Sequence, residues 1–569
     1  MTTTQVRPTQ LTTPRATIPA PSRDQITVGI ILGSLLALSI WSFSGVGLSL
    51  TQISKGIGYA ENFLLRTVPF VWPSFPEIIR LSGLTLAIVI CGTVMAAVLS
   101  IPVAYLAARN TSPARGTRWI GRMLSVTSRA APDAILAMIF ALIIGQGALA
   151  GVLALGLHSI GMISKLTADA IEQIDEGPRL ALRAAGATKS QEFWGAIWPQ
   201  IAPAFVATVL HRTDINLRVS VILGFVGVAG LGYELSIALR TLNYREAMPY
   251  AIIIFILCVL FEIISAMVRT LLLGKNPAGK GIGDRVMRMT GAGKPGAIPS
   301  AAAAEPTSPA SRTRPWTPDR IKTATFGWLA GLAILGSIII SATQGSSFTN
   351  FWQNLSIAGS RLWPPSLAES KWAATGMALI ETVQIALAAT LFALIFSLVI
   401  GAFAARNVAP TPAVRGGARL LLVGIRGLPE LLLALFFIIL TGLGPGAATL
   451  ALGIGGIGLL GKLFADSIEE VRSGPERALT ATGATRFQVF TAATFPQATP
   501  ALVGHTLYLL DSNIRGATIL GIVGGGGIGT LLASAARINQ HELLFLLICV
   551  LLIVYAVEAL SSWIRGLIQ

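Results

Sequence analysis

Residues 160–203 read IGMISKLTADAIEQIDEGPRLALRAAGATKSQEFWGAIWPQIAP, and residues 457–500 read IGLLGKLFADSIEEVRSGPERALTATGATRFQVFTAATFPQATP. The two stretches align without a gap. Gly177 pairs with Gly474, Gly186 with Gly483 and Pro199 with Pro496, each 297 positions apart (474 − 177 = 297). In each copy an apolar run gives way to a polar segment, and a second apolar run begins near the proline. A chain that repeats such a unit reads as two equivalent halves joined end to end.

Composition places those halves in a membrane. Of 569 residues, 53% are hydrophobic and 12% charged, against about 25% charged in soluble domains. Mean hydropathy is +0.71, and several apolar runs reach about 20 residues, enough to cross about 30 Å of hydrocarbon. Net charge is +16, from 42 basic and 26 acidic residues. A nucleic-acid binder can show that balance. Here the basic residues fall between apolar runs, as cytoplasmic loops do, so a lipid bilayer and no nucleic acid is expected. Cys91, Cys258 and Cys549 lie in apolar stretches without metal-ligand spacing, which argues against a disulfide framework or zinc. His158, His211, His505 and His541 form no ligand set, and no nucleophile triad or carboxylate pair supports catalysis.

Six spans are read in the first half, near 26–45, 79–107, 118–146, 149–172, 197–225 and 247–273. The second half repeats them near 322–343, 374–404, 415–443, 446–469, 494–522 and 541–566. The expected fold is therefore all-α and integral to the membrane, with about twelve transmembrane helices in two homologous six-helix halves. The expected divisions are a disordered cytoplasmic tail (1–25), repeat 1 (26–273), a flexible basic linker (274–321) and repeat 2 (322–569). The tail is rich in Thr and Pro and lacks the apolar core of a signal peptide. An even number of spans per half puts equivalent loops on one side, so the halves are related by a pseudo-two-fold axis along the membrane normal. Charge agrees. The loop after the second span carries Arg109, Arg115, Arg118 and Arg122 without an acid, and its counterpart carries Arg406, Arg415 and Arg419. The linker is also strongly basic, and its Ala, Gly, Pro and Ser content from 291 to 318 reads as a flexible cytoplasmic tether.

Within the repeated segment, Gly177-Pro178 restarts a helix with proline near its first turn. Gly186 breaks that short helix, and a second one leads toward Pro199. Ala181, Ala184, Ala185 and Ala187, with Ala478, Ala481 and Ala484 in half two, are small enough for a partner to approach closely. The arrangement resembles the coupling-loop signature of ATP-binding-cassette importer permeases, Glu-Ala-Ala, three residues, Gly, nine residues, Ile-x-Leu-Pro. Ala181, Gly186 and Pro199 match it, as do Ala478, Gly483 and Pro496. Leu180 and Arg477 stand in place of the leading glutamate. Ala196 and Trp198, then Ala493 and Phe495, replace the Ile and Leu. The alternative is an ordinary helix-loop-helix between spans.

Other segments sharpen the resemblance. RGLPELLLALFF (426–437), GKLFADSIE (461–469) and DSNIRGATILGIVGGGGIG (511–529) resemble the phosphonate-type permeases, which import phosphonates and related phosphorus oxyanions such as phosphite and phosphate. Half one carries the looser versions SRAAPDAILAMIF, SKLTADAIE and DINLRVSVILGFVGVAGLG. Such permeases usually occur as two copies of a shorter chain, so this chain looks like a fused pair.

Charges inside the spans are costly in hydrocarbon and usually face a pathway or a partner. Arg129 and Asp133, Arg426 and Glu430, Asp214 and Arg218, and Asp511 and Arg515 are each four residues apart, a spacing at which helical neighbours pair. Asn216 and Asn513 lie inside the last two pairs. Lys165 with Asp169 and Lys462 with Asp466 have the same spacing and read as structural pairs. Two readings stand for the arginines. Arg218, Arg515, Arg129 and Arg426 converge to guide a tetrahedral oxyanion, which a planar guanidinium fork suits, or each pair is an internal bridge that locks helices. Pro132 and Pro429 follow the first arginines and free backbone groups that can line a cavity. Glycine runs containing Gly224, Gly227, Gly230, Gly521, Gly524 and Gly527 read as outward-side gate loops, with plain helix packing as the alternative.

The resemblance implies the permease subunit of an ATP-driven importer for phosphonate, phosphate or related oxyanions, in a prokaryotic inner membrane. It implies two cytoplasmic ATPase subunits, one per loop, and one extracytoplasmic binding protein. The chain has no Walker A motif, so ATP and magnesium are expected in the partner subunits and no cofactor in this chain. The alternatives are an importer of a different small solute and a secondary transporter driven by an ion gradient. The second would keep an unpaired acid at the midplane, whereas the in-span acids here are expected to have basic neighbours four residues away.

Overall fold

The computed structural model describes residues 23–47, 58, 61, 65–273, 318–343 and 351–568. Most of the expected tail and linker lies outside the described residues. Half one runs through α1 (Arg23–Val46), α2 (Phe75–Ala107), α3 (Arg115–Ala130), α4 (Asp133–Ile144), α5 (Ala148–Glu172), α6 (Glu176–Ala184), α7 (Trp198–Gly224), α8 (Leu231–Arg240) and α9 (Tyr244–Leu273). Half two runs through α10 (Pro318–Ala342), α11 (Phe351–Leu362), α12 (Trp372–Ala404), α13 (Pro412–Gly427), α14 (Glu430–Thr441), α15 (Pro445–Glu469), α16 (Ser473–Ala481), α17 (Phe495–Ile522), α18 (Ile528–Ile538) and α19 (Gln540–Ile568). Among the described residues there is no strand.

Eight helices are long and apolar enough to cross a membrane, and ten spans result if each bent pair counts once. The other two expected spans are α10, whose apolar part is Gly327–Ala342, and α17, which carries Asp511, Asn513 and Arg515 along its 28 residues.

The third spans are not the straight helices expected at 118–146 and 415–443. α3 meets α4 at 88° and α13 meets α14 at 86°. Pro132 and Pro429 stand at the breaks. Proline cannot continue the helical hydrogen-bond ladder and pushes the preceding residue out of the helical region. Ala131 and Leu428 are accordingly extended.

Each bent pair crosses the protein once. α3 begins beside the end of α5, where Arg122 pairs with Glu172 at 3.5 Å. α4 ends just before α5 begins, and the 25 residues of α5 separate its two ends by about 37 Å. Half two repeats this, with Arg419 on Glu469 at 2.6 Å. The loop-side ends of α2 and α5 and the last turns of α19, at Ala107, Glu172 and Arg565, line one cavity. Both repeated loops therefore lie on the same face, called the loop face below.

The first helix of each half packs on the other half. α1 lies against α12, and α10 lies against α2. Gly45 of α1 sits so close to Gln384 of α12 that a Cβ there would overlap it. Each core thus takes its outer helix from the other repeat, which the linear division into 26–273 and 322–569 does not express. A continuous apolar cluster joins Leu84, Leu155 and Leu223 of half one to Leu431, Leu452 and Leu520 of half two. In lipid such contacts gain from close packing more than from leaving water, and small residues allow it. Gly161 of α5 and Gly458 of α15 bring their helices onto the backbone of Ser125 and Arg426, where a Cβ would overlap.

Candidate functional site

Each repeated loop folds as two short helical pieces and a bulge. In half one, α6 is followed by a helical turn at Lys189–Glu192 and a π-turn at Phe193–Ile197 that leads into α7. In half two, α16 is followed by Arg486–Val489 and Phe490–Thr494. Gly186 and Gly483 separate the pieces at φ 80° and 83°, a left-handed conformation that glycine adopts without strain. Thr188 and Thr485 then cap the second piece, each bonding the backbone three residues on while Gln191 or Gln488 returns the bond. Ala181, Ala184, Ala185, Gly186 and Pro199 are exposed, as are Ala478, Ala481, Gly483 and Pro496, while Ala187 and Ala484 are half-buried. Large apolar side chains join them at the surface, with Leu180 and Trp194 in half one and Phe487 in half two exposed.

The loops are anchored alike but not identically. Asn110 donates to the Ile171 carbonyl and to Glu176, and Asn407 donates to the Ile468 carbonyl and to Glu476. The acid comes one turn later in half two, because Glu476 occupies the position of Arg179. Arg179 is buried, at 2.9 Å from Glu176 and 3.3 Å from Glu192.

Between the halves lies a cavity of about 360 Å³. It runs along α5 from Glu172 on the loop face to Gly161, about 16 Å deeper at 1.5 Å per residue. Lys165, Asp169 and Arg129 of half one face Tyr508, Asp511 and Glu558 of half two across it. The expected pair of Arg129 with Asp133 does not form. The helix break between them turns Asp133 away, and Arg129 binds Glu558 of α19 instead. Asp133 lies 3.2 Å from His158, which hydrogen-bonds the Ala131 carbonyl freed at the break. Lys165 and Asp169 do not pair either, and both line the cavity.

Two of the expected pairs do form. Arg218 lies 3.0 Å from Asp214, and Arg515 lies 2.9 Å from Asp511. Arg218 also reaches Glu262 at 3.6 Å and donates to the Arg426 carbonyl, freed at the second break, at 2.6 Å. Asn216 and Asn513 are buried and donate to Thr93 and Thr390, so they stitch α7 to α2 and α17 to α12 away from the cavity.

The glycine runs form tight turns on the face opposite the loops. Gly227, Gly230, Gly524 and Gly527 have positive φ, whereas Gly224 and Gly521 end their helices in close contact with the turn. Thr85 accepts from the Leu231 amide at 3.0 Å and Thr382 from the Ile528 amide at 2.8 Å, which ties each turn to α2 or α12.

Three residues escaped the sequence reading. Glu262 and Glu558 sit inside spans with no base four residues away and find arginines on other helices. Arg212 is buried and donates to Ser159 at 2.9 Å. Comparing the halves would have flagged one of them, since Arg212 corresponds to Leu509, whereas Glu262 and Glu558 are each other's counterparts: past Arg240 and Arg537 the offset falls to 296, pairing Asn243 with Asn539, Glu246 with Glu542 and Arg269 with Arg565.

Known proteins resemble this chain in sequence. Residues 100–273 and 397–569 each match the family described as binding-protein-dependent transport system inner membrane component. A phosphate-import permease protein, PhnE of Mycolicibacterium smegmatis, is 37% identical over 533 residues, covering 93% of this chain and 92% of that one. The phosphite transport system permease protein PtxC of Stutzerimonas stutzeri is 36% identical over 264 residues, covering 44% of this chain and 95% of that one. A putative cryptic phosphonate transport system permease protein of Escherichia coli, PhnE2, is 32% identical over 117 residues, 21% of this chain and 96% of that one.

Proposed function

The chain belongs to the family of binding-protein-dependent transport system inner membrane components, and from that premise we propose that it is the membrane-spanning permease of an ATP-driven importer of phosphorus oxyanions. Phosphate, phosphite and alkylphosphonates share the charged tetrahedral head such a pathway accepts. The observation that carries this reading is the pair of loops on one face, in a chain similar over almost its whole length to a phosphate-import permease. The similarity of one half to nearly all of PtxC supports a fusion of two permease units.

Membership in the family implies ATPase partners and a substrate-binding protein. In this reading two ATPases dock, one on α6 and one on α16, with Ala181, Ala184, Ala185, Ala478 and Ala481 as the close-contact surface. ATP and magnesium belong to those subunits. The loop face is cytoplasmic in a prokaryotic inner membrane, as its arginines suit, and the N-terminus and linker lie on that side. The binding protein docks opposite, over the turns that contain Gly230 and Gly527. Closure of the ATPases draws the loops together and swings the halves, so that substrate passes between them. Arg129, Arg515, Arg218 and Arg426 flank that passage, with Asp511 and Asp214 as their resident partners, while Asn216 and Asn513 hold the helices that carry them.

The test is ATP-driven uptake into vesicles holding the chain with its ATPase and binding protein, with phosphate, phosphite and methylphosphonate in competition. Uptake of at least one is expected, and the competition ranks them. Assembly that hydrolyses ATP but takes up none of the three would retain the architecture and rule out the substrate class.

A further inference from the structure

Buried polar atoms without a partner are rare in folded proteins, and each calls for an explanation. Among the described residues eleven buried side-chain polar atoms lack a hydrogen-bond partner, and six of them belong to Arg129, Asp133, Arg212, Asp511, Arg515 and Glu558; of these, Nη1 of Arg515 and Oδ1 of Asp133 have an ionic neighbour at 2.9 Å and 3.2 Å. These six form one neighbourhood. Arg129 holds Glu558, and Arg515 holds Asp511. Asp133 lies within electrostatic reach of Arg212 and Arg515, and Arg212 within reach of Tyr508. Their counterparts in the other half are Arg426, Glu430, Leu509, Asp214, Arg218 and Glu262, and these contribute one such atom, Nε of Arg218. The unfilled hydrogen-bonding capacity therefore collects on one side of the pseudo-axis and meets the cavity through Arg129, Asp511 and Glu558, which line it, with Arg515 paired to Asp511 next to them.

Arg212 is the distinctive member. It is 6% exposed, its Nε is held by Ser159 at 2.9 Å, and its Nη2 has no partner. We infer that Arg212 and Arg515, one from each half, form with Arg129 a single off-axis transit site for a phosphorus oxyanion. Glu558 and Asp511 hold Arg129 and Arg515 between passages, and Ser159 holds Arg212. This inference rests on the importer reading above and adds a position and a residue to it.

The chemistry suits brief occupancy. Two of the three guanidinium groups carry a resident carboxylate and the third, Arg212, has a free Nη2, so an arriving oxyanion meets an open donor and can exchange for a carboxylate on its neighbours. The fork of each arginine matches two oxygens of a tetrahedral anion. A site with no net charge releases its anion readily, which an importer needs when a separate protein supplies the affinity. The constellation has no second copy, because Leu509 and Gly455 stand where Arg212 and His158 do, although Glu262 keeps the acid that corresponds to Glu558.

The test is the initial rate of radiolabelled phosphate uptake by the full complex in vesicles. Arg212→Leu installs the residue that half two carries, and Arg212→Gln removes the charge while keeping a donor for Ser159. Both are expected to assemble with the ATPase yet lose about tenfold or more of the uptake rate, as befits a lost charge-assisted contact to an anion. Arg212→Lys should recover part of the rate with a raised KM. Uptake within about twofold of the unmodified chain in either neutral variant would overturn the inference alone, since a tenfold change corresponds to about 1.4 kcal/mol. Failure of all three variants to assemble would also overturn it, by showing that Arg212 is structural. Absence of oxyanion uptake by the unmodified complex would overturn the importer reading and this site with it.

Discussion

The two loops on the loop face are close copies, whereas the two sides of the charged centre have diverged. Gly186 and Gly483 turn the loops at φ 80° and 83°, and Thr188 and Thr485 close the same capping boxes. In the centre, Arg129 reaches across to Glu558, while its counterpart Arg426 offers a carbonyl to Arg218. On the importer reading, loops that dock on two like ATPases are held to one shape. On the same reading, a passage between the halves is shared by both, so a residue kept by one half can be lost from the other.

The largest effect is expected where the loops themselves differ. Arg179→Glu gives half one the residue of half two and brings three carboxylates together around a buried site. Losing a buried bridge costs about 3–5 kcal/mol, so the ATPase that co-purifies with the chain should fall steeply. Retention of full ATPase would show that this clamp does not hold the loop. The reverse change, Glu476→Arg, takes an acceptor from Asn407 and Thr494 and should cost about 1–3 kcal/mol.

A smaller, asymmetric effect is expected in the centre. Arg218 holds Asp214, Glu262 and a carbonyl of the other half, whereas Arg515 holds Asp511. Arg218→Ala should therefore lower the thermal stability of the complex more, by about 2–4 kcal/mol against about 1–2 for Arg515→Ala. Arg515→Ala should cut uptake while leaving assembly intact. Equal losses in both assays would erase the distinction between the two sides.

The stitching asparagines carry a smaller asymmetry. Asn513→Leu takes a donor from the Thr390 hydroxyl and should cost about 1–2 kcal/mol in thermal unfolding. Asn216→Leu takes a donor from Thr93 and also a partner of Ser159, and should cost about 1 kcal/mol more. Equal losses would show that the bond between Asn216 and Ser159 contributes nothing. The smallest stability effect belongs to Phe487→Ser. Its side chain is 75% exposed, so stability should stay within about 0.5 kcal/mol, while ATPase capture weakens if the partner covers this residue.

Much of the fold was readable before any coordinates. The fixed offset of 297 located both loops, and their glycines and prolines marked where the helical pieces start and stop. Pro132 and Pro429 signalled an opening in the backbone, though not bends near 90°. The exchange of α1 and α10 between halves left no trace, because an apolar helix fits any apolar neighbour and its sequence names no partner. Partners in the centre were misread for a related reason. Spacing of four residues favours Arg129 with Asp133 only while the helix continues, and the break hands Arg129 to an acid 429 positions away. Arg212 was lost among the residues of a long helix, although its replacement by Leu509 marks where the halves diverge.

The central claim is that ATP drives an oxyanion through this chain. It is tested most directly by measuring radiolabelled phosphate uptake into vesicles holding the chain, its ATPase and its binding protein, with and without ATP, and with the ion gradients collapsed. The account predicts uptake that requires ATP and the binding protein and survives collapse of the gradients. Uptake that follows an ion gradient and ignores ATP would contradict it.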